Sequence, residues 1–316
     1  MAEPDRGRHL RRWAGARGVL ISAVLAGACG SNLTQQPSAV SAPIASPAAN
    51  PSGSPTPPPP PRVALISIDG LRADAVNAQN TPNLWALVTR GAYSFSAQTT
   101  FPSNTLPGHA SMLTGVEPSV HHVTFDEYQD TFQFSTPTVL SLVHAAGKRS
   151  LMIVGKDKFR QLVGIGTVDS FTESNHGDED IVNEAITQIP LGFDLLFVHL
   201  PQVDQMGHYA GWMSAAYLEQ VKAADAAFGR LVTYLPVGTT IIATSDHGGT
   251  QKVHGTDAKT DLTIPWIIEG PSILHRGAIA RRVRTTDTAA TILAVLNITA
   301  PSNCTGRSVS EVFEAP

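Results

Sequence analysis

From residue 62 onward, short continuous apolar runs alternate with longer segments in which apolar residues recur at helical spacing. The strand-like runs, several of them rich in β-branched residues, cover residues 63–68, 92–100, 150–154, 194–200, 238–244 and 262–268. The helical segments cover residues 81–89, the stretch after Thr105, and residues 136–146, 178–189, 214–234 and 288–296. This alternation predicts an α/β fold with a doubly wound, mostly parallel sheet and helices on both faces.

The stretch 102–115, P-S-N-T-L-P-G-H-A-S-M-L-T-G, predicts a helix with a hydroxyl at its start. Thr105 has the residue type of an N-cap, and Pro107 is tolerated in the first turn, where its missing N–H is not needed. The positive end of the helix dipole favours an anion such as phosphate. Taken alone, Thr105 is better explained as a simple helix cap, the common use of such a residue. Residues 117–123 are predicted to form a loop. The glycine-rich segment 155–176 has no clear helix or strand pattern and is a candidate part of the active-site rim.

Three of the predicted strands are followed by aspartates. Because ligands bind at the carboxyl ends of strands in open α/β sheets, these aspartates and the histidines near them are expected in one cleft. The candidate ligands are Asp69, Asp204, His208, Asp246, His247 and His254. Three carboxylates and three imidazoles suit two closely spaced divalent metals, with zinc favoured and manganese or iron as alternatives. A metal beside Thr105 would make its hydroxyl a better nucleophile.

Each part of this set also has a plain structural interpretation. Asp69 could begin a turn with Gly70, Asp204 and His208 could form an i,i+4 pair on a solvated helix face, and His254 could lie in a surface loop. The run S-D-H-G-G at 245–249 directly after an apolar strand is harder to explain by packing. The joint placement of all the parts at strand ends favours a functional site.

The first 61 residues predict export and a tether. Residues 1–28 combine five arginines with a short apolar run, as in a signal peptide, and small residues precede Cys29, as in a lipoprotein cleavage box. Leu25 lies one residue further from the cysteine than in the usual box, so plain secretion is the alternative. Residues 29–61 are rich in Pro, Ser and Ala and predict a disordered stalk ahead of a catalytic domain at 62–316.

The charge of the chain gives no indication of a nucleic-acid surface. The leader holds five of the 22 basic residues and two of the 26 acidic ones, so the remainder carries 17 basic and 24 acidic residues, a net −7. We expect an extracytoplasmic protein of the cell envelope, held at the membrane by a lipid on Cys29 or else secreted.

The order of motifs resembles the alkaline phosphatase superfamily, most closely its nucleotide pyrophosphatase/phosphodiesterase branch. The motifs are I-D-G at Asp69, T-x-P-x-H from Thr105, D-x-x-x-H at 204–208, D-H-G-G from Asp246 and H-G at His254. The resemblance implies a two-metal hydrolase with a covalent phosphothreonine intermediate on Thr105. One zinc would be held by Asp69, Asp246 and His247 and would activate Thr105, and the other would be held by Asp204, His208 and His254.

One position departs from that branch. Asp126 stands where an asparagine that donates to a phosphate oxygen is expected, and a carboxylate there would repel phosphate unless it is protonated or paired. The Asn104 amide could contact the substrate instead, and His109 is expected behind the nucleophile as an outer-shell residue.

The expected activity is hydrolysis of small phosphate esters, with phosphodiester or pyrophosphate bonds first. Phosphate monoesters or phosphonates are the enzymatic alternative, for which Lys156, Lys158 and Arg160 could supply positive charge, although such residues more often form a solvated face. Two interpretations without catalysis stay open at this point: a solute-binding lipoprotein and a catalytically inactive relative.

Overall fold

One eight-stranded sheet organises the part of the chain that the computed structural model describes, residues 60–164 and 166–315. Its strands are β1 (Arg62–Ile68), β2 (Ala92–Gln98), β3 (Ser150–Val154), β4 (Ser170–Glu173), β5 (Leu195–Leu200), β6 (Thr239–Thr244), β7 (Thr263–Glu269) and β8 (Gly277–Ala278). The spatial order is β4-β3-β5-β1-β6-β7-β2-β8. Only β7 runs antiparallel to its neighbours, β6 and β2, among these strands. The predicted mostly parallel α/β sheet is therefore confirmed.

Helices cover both faces of the sheet. They are α1 (Pro82–Arg90), α2 (Thr105–Thr114), α3 (Pro118–His121), α4 (Val139–Ala145), α5 (Asp178–Gln188), α6 (Gln202–Ala210), α7 (Ala215–Tyr234), α8 (Lys259–Leu262) and α9 (Asp287–Val295). Short 3₁₀ segments add residues 73–75, 157–162, 189–191 and 310–313. No helix in the described ranges is both long and apolar enough to cross a bilayer.

The central strand β1 is buried on both sides, as its unbroken apolar run predicts. Val63 and Leu65 face a core shared with α2, α4 and α9, while Ala64 and Ile66 face a second core shared with α1, α5 and α7. The two cores are the physical content of a doubly wound sheet, because each face of the sheet needs its own layer of helices.

Several sequence-predicted boundaries are wrong. The second strand ends at Gln98 rather than residue 100, and the helix predicted from residue 136 begins only at Val139, because Thr138 is its N-cap and its hydroxyl accepts a hydrogen bond from Ser141 N–H. Residues 117–123 contain the short helix α3. The unassigned segment 155–176 contains a 3₁₀ turn and the edge strand β4.

The predicted leader at 1–28 and nearly all of the predicted stalk at 29–61 lie outside the described residues. Cys29, the predicted lipidation site, is among them. These predictions stay predictions, and the described part begins at the strand that carries the site.

Candidate active site

Three neighbouring strands bring the three aspartates together. In the order β5-β1-β6, Asp69 follows β1 directly, Asp246 lies two residues beyond β6, and Asp204 lies on α6 just after β5. All three side chains are buried. Gly70 makes the close approach of β1 and α6 feasible, because its φ is +70° and a Cβ there would lie 2.9 Å from the Asp204 Cα.

Asp69, Asp246 and His247, which we name cluster one, could hold a metal ion. His247 Nε2 lies 3.3 Å from Asp69 Oδ1 and 3.3 Å from Asp246 Oδ2, and all three side chains are fully buried. Thr105 Oγ1 lies 3.5 Å from the same Nε2 atom. The nucleophile candidate therefore borders cluster one.

Asp204, His208 and His254, which we name cluster two, form the second group that could hold a metal. Asp204 Oδ1 lies 3.4 Å from His208 Nε2 and 3.5 Å from His254 Nε2. The i,i+4 pair on α6 faces this cluster, although the His208 side chain keeps 46% of its surface exposed. His254 comes from the loop between β6 and α8.

The histidines of both clusters are oriented alike by backbone carbonyls. The Nδ1 atom of each lies at 2.7 to 3.1 Å from one: Gly248 O for His247, Lys252 O for His208 and Ser103 O for His254. Because a carbonyl only accepts, the neutral imidazole carries its proton on Nδ1 and turns the Nε2 lone pair toward the carboxylates. This is the usual arrangement of a metal-binding histidine.

Three buried carboxylate oxygens test whether the clusters suit a cation. Within residues 60–164 and 166–315, Asp69 Oδ1, Asp204 Oδ1 and Asp246 Oδ2 have no hydrogen-bond partner. These are the same oxygens that face the histidine Nε2 atoms. Buried oxygens without partners are costly in a folded protein, so the donor set fits divalent metals.

The pKa values in cluster one show how strongly its negative charges need a cation. Burial lowers the pKa of His247, but Asp246 and Asp69 outweigh burial and raise it to about 10. Burial and the nearby Asp69 raise the pKa of Asp246 to about 7. With no metal, the cluster therefore retains a proton where a cation would otherwise balance the two carboxylates.

Lys156 lies between the two clusters, whereas the sequence offered it either as a source of positive charge for phosphate or as part of a solvated face. Its ammonium is 2.6 Å from Asp69 Oδ2, 2.7 Å from Asp204 Oδ2 and 3.2 Å from Thr105 Oγ1. Burial lowers the pKa of Lys156, but the two carboxylates more than reverse this and raise it above its ordinary value. The usable signal was its position, two residues after β3.

Thr105 is the first residue of α2, and Asn104 occupies the N-cap position without a side-chain capping bond. The prediction of Thr105 as the cap is therefore wrong by one residue. Both residue types suit a cap, and the local pattern did not distinguish them. The Thr105 N–H, as the first in the helix, has no partner within it and lies beside the hydroxyl.

Asp126 caps the same helix from a distant loop. Its Oδ1 accepts a hydrogen bond from Leu106 N–H at 2.8 Å, and its Oδ2 lies 3.0 Å from the Lys158 ammonium. The carboxylate is thus paired, which is one of the two conditions that the sequence demanded of it. Arg160, the third cation of that segment, pairs with Glu173 and keeps 62% of its side chain exposed.

Two buried imidazoles support cluster one from behind. His109 lies with Nδ1 2.8 Å from the Thr105 carbonyl and Nε2 2.8 Å from Ser67 Oγ, so it occupies the predicted outer-shell position. His199 was not predicted, although a histidine within the buried run of β5 was a signal. Its Nδ1 accepts from Gly155 N–H at 3.2 Å, so its Nε2–H donates to Asp69 Oδ2 at 2.9 Å.

Asn104 borders cluster two rather than the nucleophile's hydroxyl. Its amide nitrogen lies 3.5 Å from His254 Nδ1, a longer contact than the 3.1 Å from that nitrogen to Ser103 O. Gly255, with φ of +94°, packs on the same amide, where a Cβ would come within 2.8 Å. Asn104 therefore lies close to the site, and its expected contact with substrate stays a prediction.

Several known enzymes are similar to this chain in sequence. The chain is 25% identical over 277 residues to the catalytic subunit of human GPI ethanolamine phosphate transferase 2, covering 80% of this chain and 28% of that protein. It is 25% identical over 221 residues to the mouse ectonucleotide pyrophosphatase/phosphodiesterase family member 3, covering 60% of this chain and 25% of that protein. The chain thus spans about a quarter of the length of these relatives.

Solved structures share the fold at low sequence identity. A murine ectonucleotide pyrophosphatase/phosphodiesterase 5, an inactive form in complex with AMP, superposes with a TM-score of 0.68 at 15% identity over 80% of this chain and 98% of that one. A 2-O GAG sulfatase gives 0.69 at 14% identity over 81% of this chain and 75% of that one. A phosphonate monoester hydrolase from Silicibacter pomeroyi gives 0.62 at 16% identity, with 81% and 77% coverage.

The sequence also matches a family profile over most of the described residues. Residues 63–141 and 150–270 match the family described as type I phosphodiesterase / nucleotide pyrophosphatase, which is more than half of the chain. The matched ranges include Asp69, Thr105 and both clusters. The resemblance expected from the motifs is confirmed. The chain belongs to the type I phosphodiesterase / nucleotide pyrophosphatase family, within the alkaline phosphatase superfamily.

Proposed function

We propose that this protein is a metal-dependent hydrolase that cleaves phosphodiester or pyrophosphate bonds of small phosphate esters, with Thr105 as the nucleophile. Membership of the family supports phosphate ester hydrolysis. The observation that carries the role of Thr105 is its position: its hydroxyl borders His247 and Lys156 at the edge where both clusters lie. A structural neighbour is in complex with AMP, and by analogy we propose a nucleotide-sized substrate for this chain.

The residues of each cluster would hold one divalent metal. Cluster one offers Asp69, Asp246 and His247, with Thr105 beside it, and cluster two offers Asp204, His208 and His254. Mixed carboxylate and imidazole donors favour zinc, with manganese or iron as alternatives. When bound, the two ions would supply positive charge that favours the Thr105 alkoxide and stabilises the leaving oxygen.

The residues around Thr105 fit the two half-reactions. In the first, Thr105 Oγ attacks phosphorus, loses its proton to solvent, and the bond from phosphorus to the leaving oxygen breaks with its electron pair on that oxygen. A phosphothreonine results. Water then attacks phosphorus, the bond from phosphorus to Thr105 Oγ breaks, and Oγ takes up a proton as the phosphate product leaves. His109 holds the Thr105 carbonyl, and because burial lowers its pKa to about 4, it does so as a neutral imidazole at neutral pH.

Lys156 favours a second candidate, a phosphate monoesterase or phosphonate hydrolase. Two divalent metals would carry four positive charges against three carboxylates, and the Lys156 ammonium would add one more. A net positive site with an ammonium 3.2 Å from the nucleophile also suits a doubly charged phosphoryl group. Monoester hydrolysis is therefore the alternative outcome of the substrate test.

Purified protein should bind close to two metals per chain and hydrolyse bis-nitrophenyl phosphate faster than mono-nitrophenyl phosphate. Thr105→Ala should abolish turnover and leave the metal content nearly unchanged. Thr114→Ala, at the other end of α2, is the matched control and should retain activity. Less than about one metal per chain with no hydrolysis of either ester in added zinc or manganese would leave the binding-protein or inactive-relative interpretation instead.

We also propose that the protein is exported and tethered through a lipid on Cys29, with secretion as the alternative. The support is the sequence alone: the arginines, the apolar run and the small residues before the cysteine. Full-length protein should fractionate with membranes, and Cys29→Ser should move it to the soluble extracytoplasmic fraction. An unchanged distribution would contradict the anchor.

A further inference from the structure

Asp126 contacts the first turn of α2, next to the residue that carries the nucleophilic hydroxyl. Its Oδ1 is 2.8 Å from Leu106 N–H, the second amide of α2, and Thr105 is the residue before it. Pro107 has no N–H, so the first turn offers few donors to a phosphate. An internal carboxylate therefore already holds one of the amides on which a phosphoryl oxygen could rest.

Lys158 is held by the same carboxylate. Its ammonium lies 3.0 Å from Asp126 Oδ2, and the two side chains keep only 12% and 27% of their surface exposed. A pair with this little solvent contact is screened less than a surface ion pair. The positive charge of Lys158 is thus largely cancelled beside the helix that carries Thr105, whereas Lys156 directly contacts the Thr105 hydroxyl.

We propose that the Asp126–Lys158 pair sets the charge that a substrate phosphoryl group meets beside Thr105, and so keeps the site selective for singly charged phosphodiesters. The inference rests on the proposed function. With the pair intact, Lys158 adds little net positive charge at this end of α2, and Lys156 is the lysine that contacts the Thr105 hydroxyl. A phosphodiester carries one negative charge, whereas a phosphate monoester carries close to two near neutral pH, so an uncompensated Lys158 would favour the monoester over the diester.

Asp126→Asn tests this directly, because the amide oxygen can still accept from Leu106 N–H while the negative charge is lost. Lys158 then has no counter-ion there, and kcat/KM for the nitrophenyl monoester should rise about tenfold relative to that for the diester. The change should appear mainly in KM. Asp130→Asn, which removes a charge from an exposed position in the same loop, should leave the ratio of the two substrates unchanged.

Lys158→Met gives the opposite perturbation. It leaves the Asp126 carboxylate uncompensated, so kcat/KM should fall for both esters and fall further for the monoester. The double variant Asp126→Asn/Lys158→Met removes both charges and should return the ratio of the two substrates to that of the unaltered protein. The opposite shifts of the two single variants then cancel in the double variant, as expected if both charges act on the same phosphoryl group.

A purely structural role for Asp126 predicts a different result. Both single variants would then lower thermal stability and reduce kcat/KM for the two esters by the same factor, and an unchanged ratio in both would overturn the inference. The proposed function fails separately, because it fails if the unaltered, metal-loaded protein hydrolyses neither ester.

Discussion

Cluster one and cluster two lie at the same edge of one sheet but are built differently. Cluster one joins residues from loops that directly follow β1 and β6, is fully buried, and is backed by His109 and His199. Cluster two joins two residues of helix α6 with one from a loop, and His208 is half exposed. Metal ligands that are buried and held in place by two further side chains lose less conformational entropy when they bind a metal. Cluster one should therefore bind its metal more tightly and exchange it more slowly.

The largest expected effect comes from removing a ligand of cluster one. Asp246→Asn should reduce the rate of hydrolysis by more than about 100-fold, because loss of a residue that only supports a metal ligand already costs up to about that much. Excess metal should not restore the activity. His208→Gln, the matched change in cluster two, should lose activity that excess zinc or manganese largely recovers. Steady-state rates of hydrolysis, measured for each variant over a metal titration, test the difference between the clusters. Equal recovery of activity by both variants would contradict it.

Metal removal should separate the clusters in time. A chelator should withdraw the first equivalent quickly from cluster two and the second slowly from cluster one. Metal remaining after rapid desalting, measured by elemental analysis, follows both phases. His208→Gln should lack the fast phase alone, and a single phase in the unaltered protein would show that the difference in burial has no consequence.

His199→Gln should weaken metal binding at cluster one by about 10- to 100-fold and leave cluster two nearly unchanged. The reason is that the His199 Nε2–H fixes one oxygen of Asp69 and turns the other toward His247. Competitive zinc titration of the metal-free protein measures it. His144→Gln, at a partly exposed histidine paired with Asp169, is the control and should bind both metals normally.

The free energy of unfolding should depend on pH because of the two buried histidines behind cluster one, His109 and His199. Burial lowers the pKa of both His109 and His199 to about 4, so the folded protein keeps them neutral while the unfolded chain protonates them below about 6.5. Their contribution is complete above pH 6.5 and is lost as the pH falls toward 4, by up to about 1.4 kcal/mol per pH unit for each histidine.

Thermal unfolding of metal-free protein between pH 7 and 4 measures this loss. His254 acts with the same sign, because burial and the neighbouring His247 lower its pKa to about 4, whereas Asp246, whose pKa is raised to about 7, acts with the opposite sign. His199→Gln should therefore reduce the slope without removing it. A slope equal to that of the unaltered protein would assign the acid sensitivity to other groups.

The smallest expected effect is at Arg160. The Arg160 side chain is 62% exposed, although Glu173 keeps only 12% of its surface exposed, so Arg160→Ala should change the free energy of unfolding by about 1 kcal/mol and leave both metal sites and hydrolysis unaffected. Chemical denaturation and the two nitrophenyl assays check this. A change in the ratio of the two substrates would show that the charge of Arg160 reaches the site.

The parts of the fold set by continuous apolar runs were predictable from the sequence. The predicted strand at 63–68 is β1, which begins one residue earlier in the structure, and the predicted strand at 150–154 matches β3. The gathering of Asp69, Asp204 and Asp246 was also predictable, because strand ends share an edge in a parallel sheet. The metals themselves and the role of Thr105 stay proposals.

The relations between distant side chains were not predictable. Lys156 and Lys158 differ by two positions in one short segment, yet one contacts Asp69 and the other Asp126, because Lys156 precedes the 3₁₀ turn at 157–162 and Lys158 lies within it. In the sequence, His199 is a single polar residue within the apolar run of β5. Its role depends on the parallel pairing of β5 with β1, which no local pattern contains.

The position of β1 has a consequence for how the chain reaches this state. It is the first of the described strands to leave the ribosome and the central strand of the active-site edge, but its neighbours β5 and β6 begin more than 130 residues later, with Val63 paired to Leu195 and Thr240. Such high contact order slows folding and leaves an apolar strand exposed during synthesis. Both clusters can therefore assemble only in the last stage of folding, and a chain truncated before residue 239 should collapse without either one.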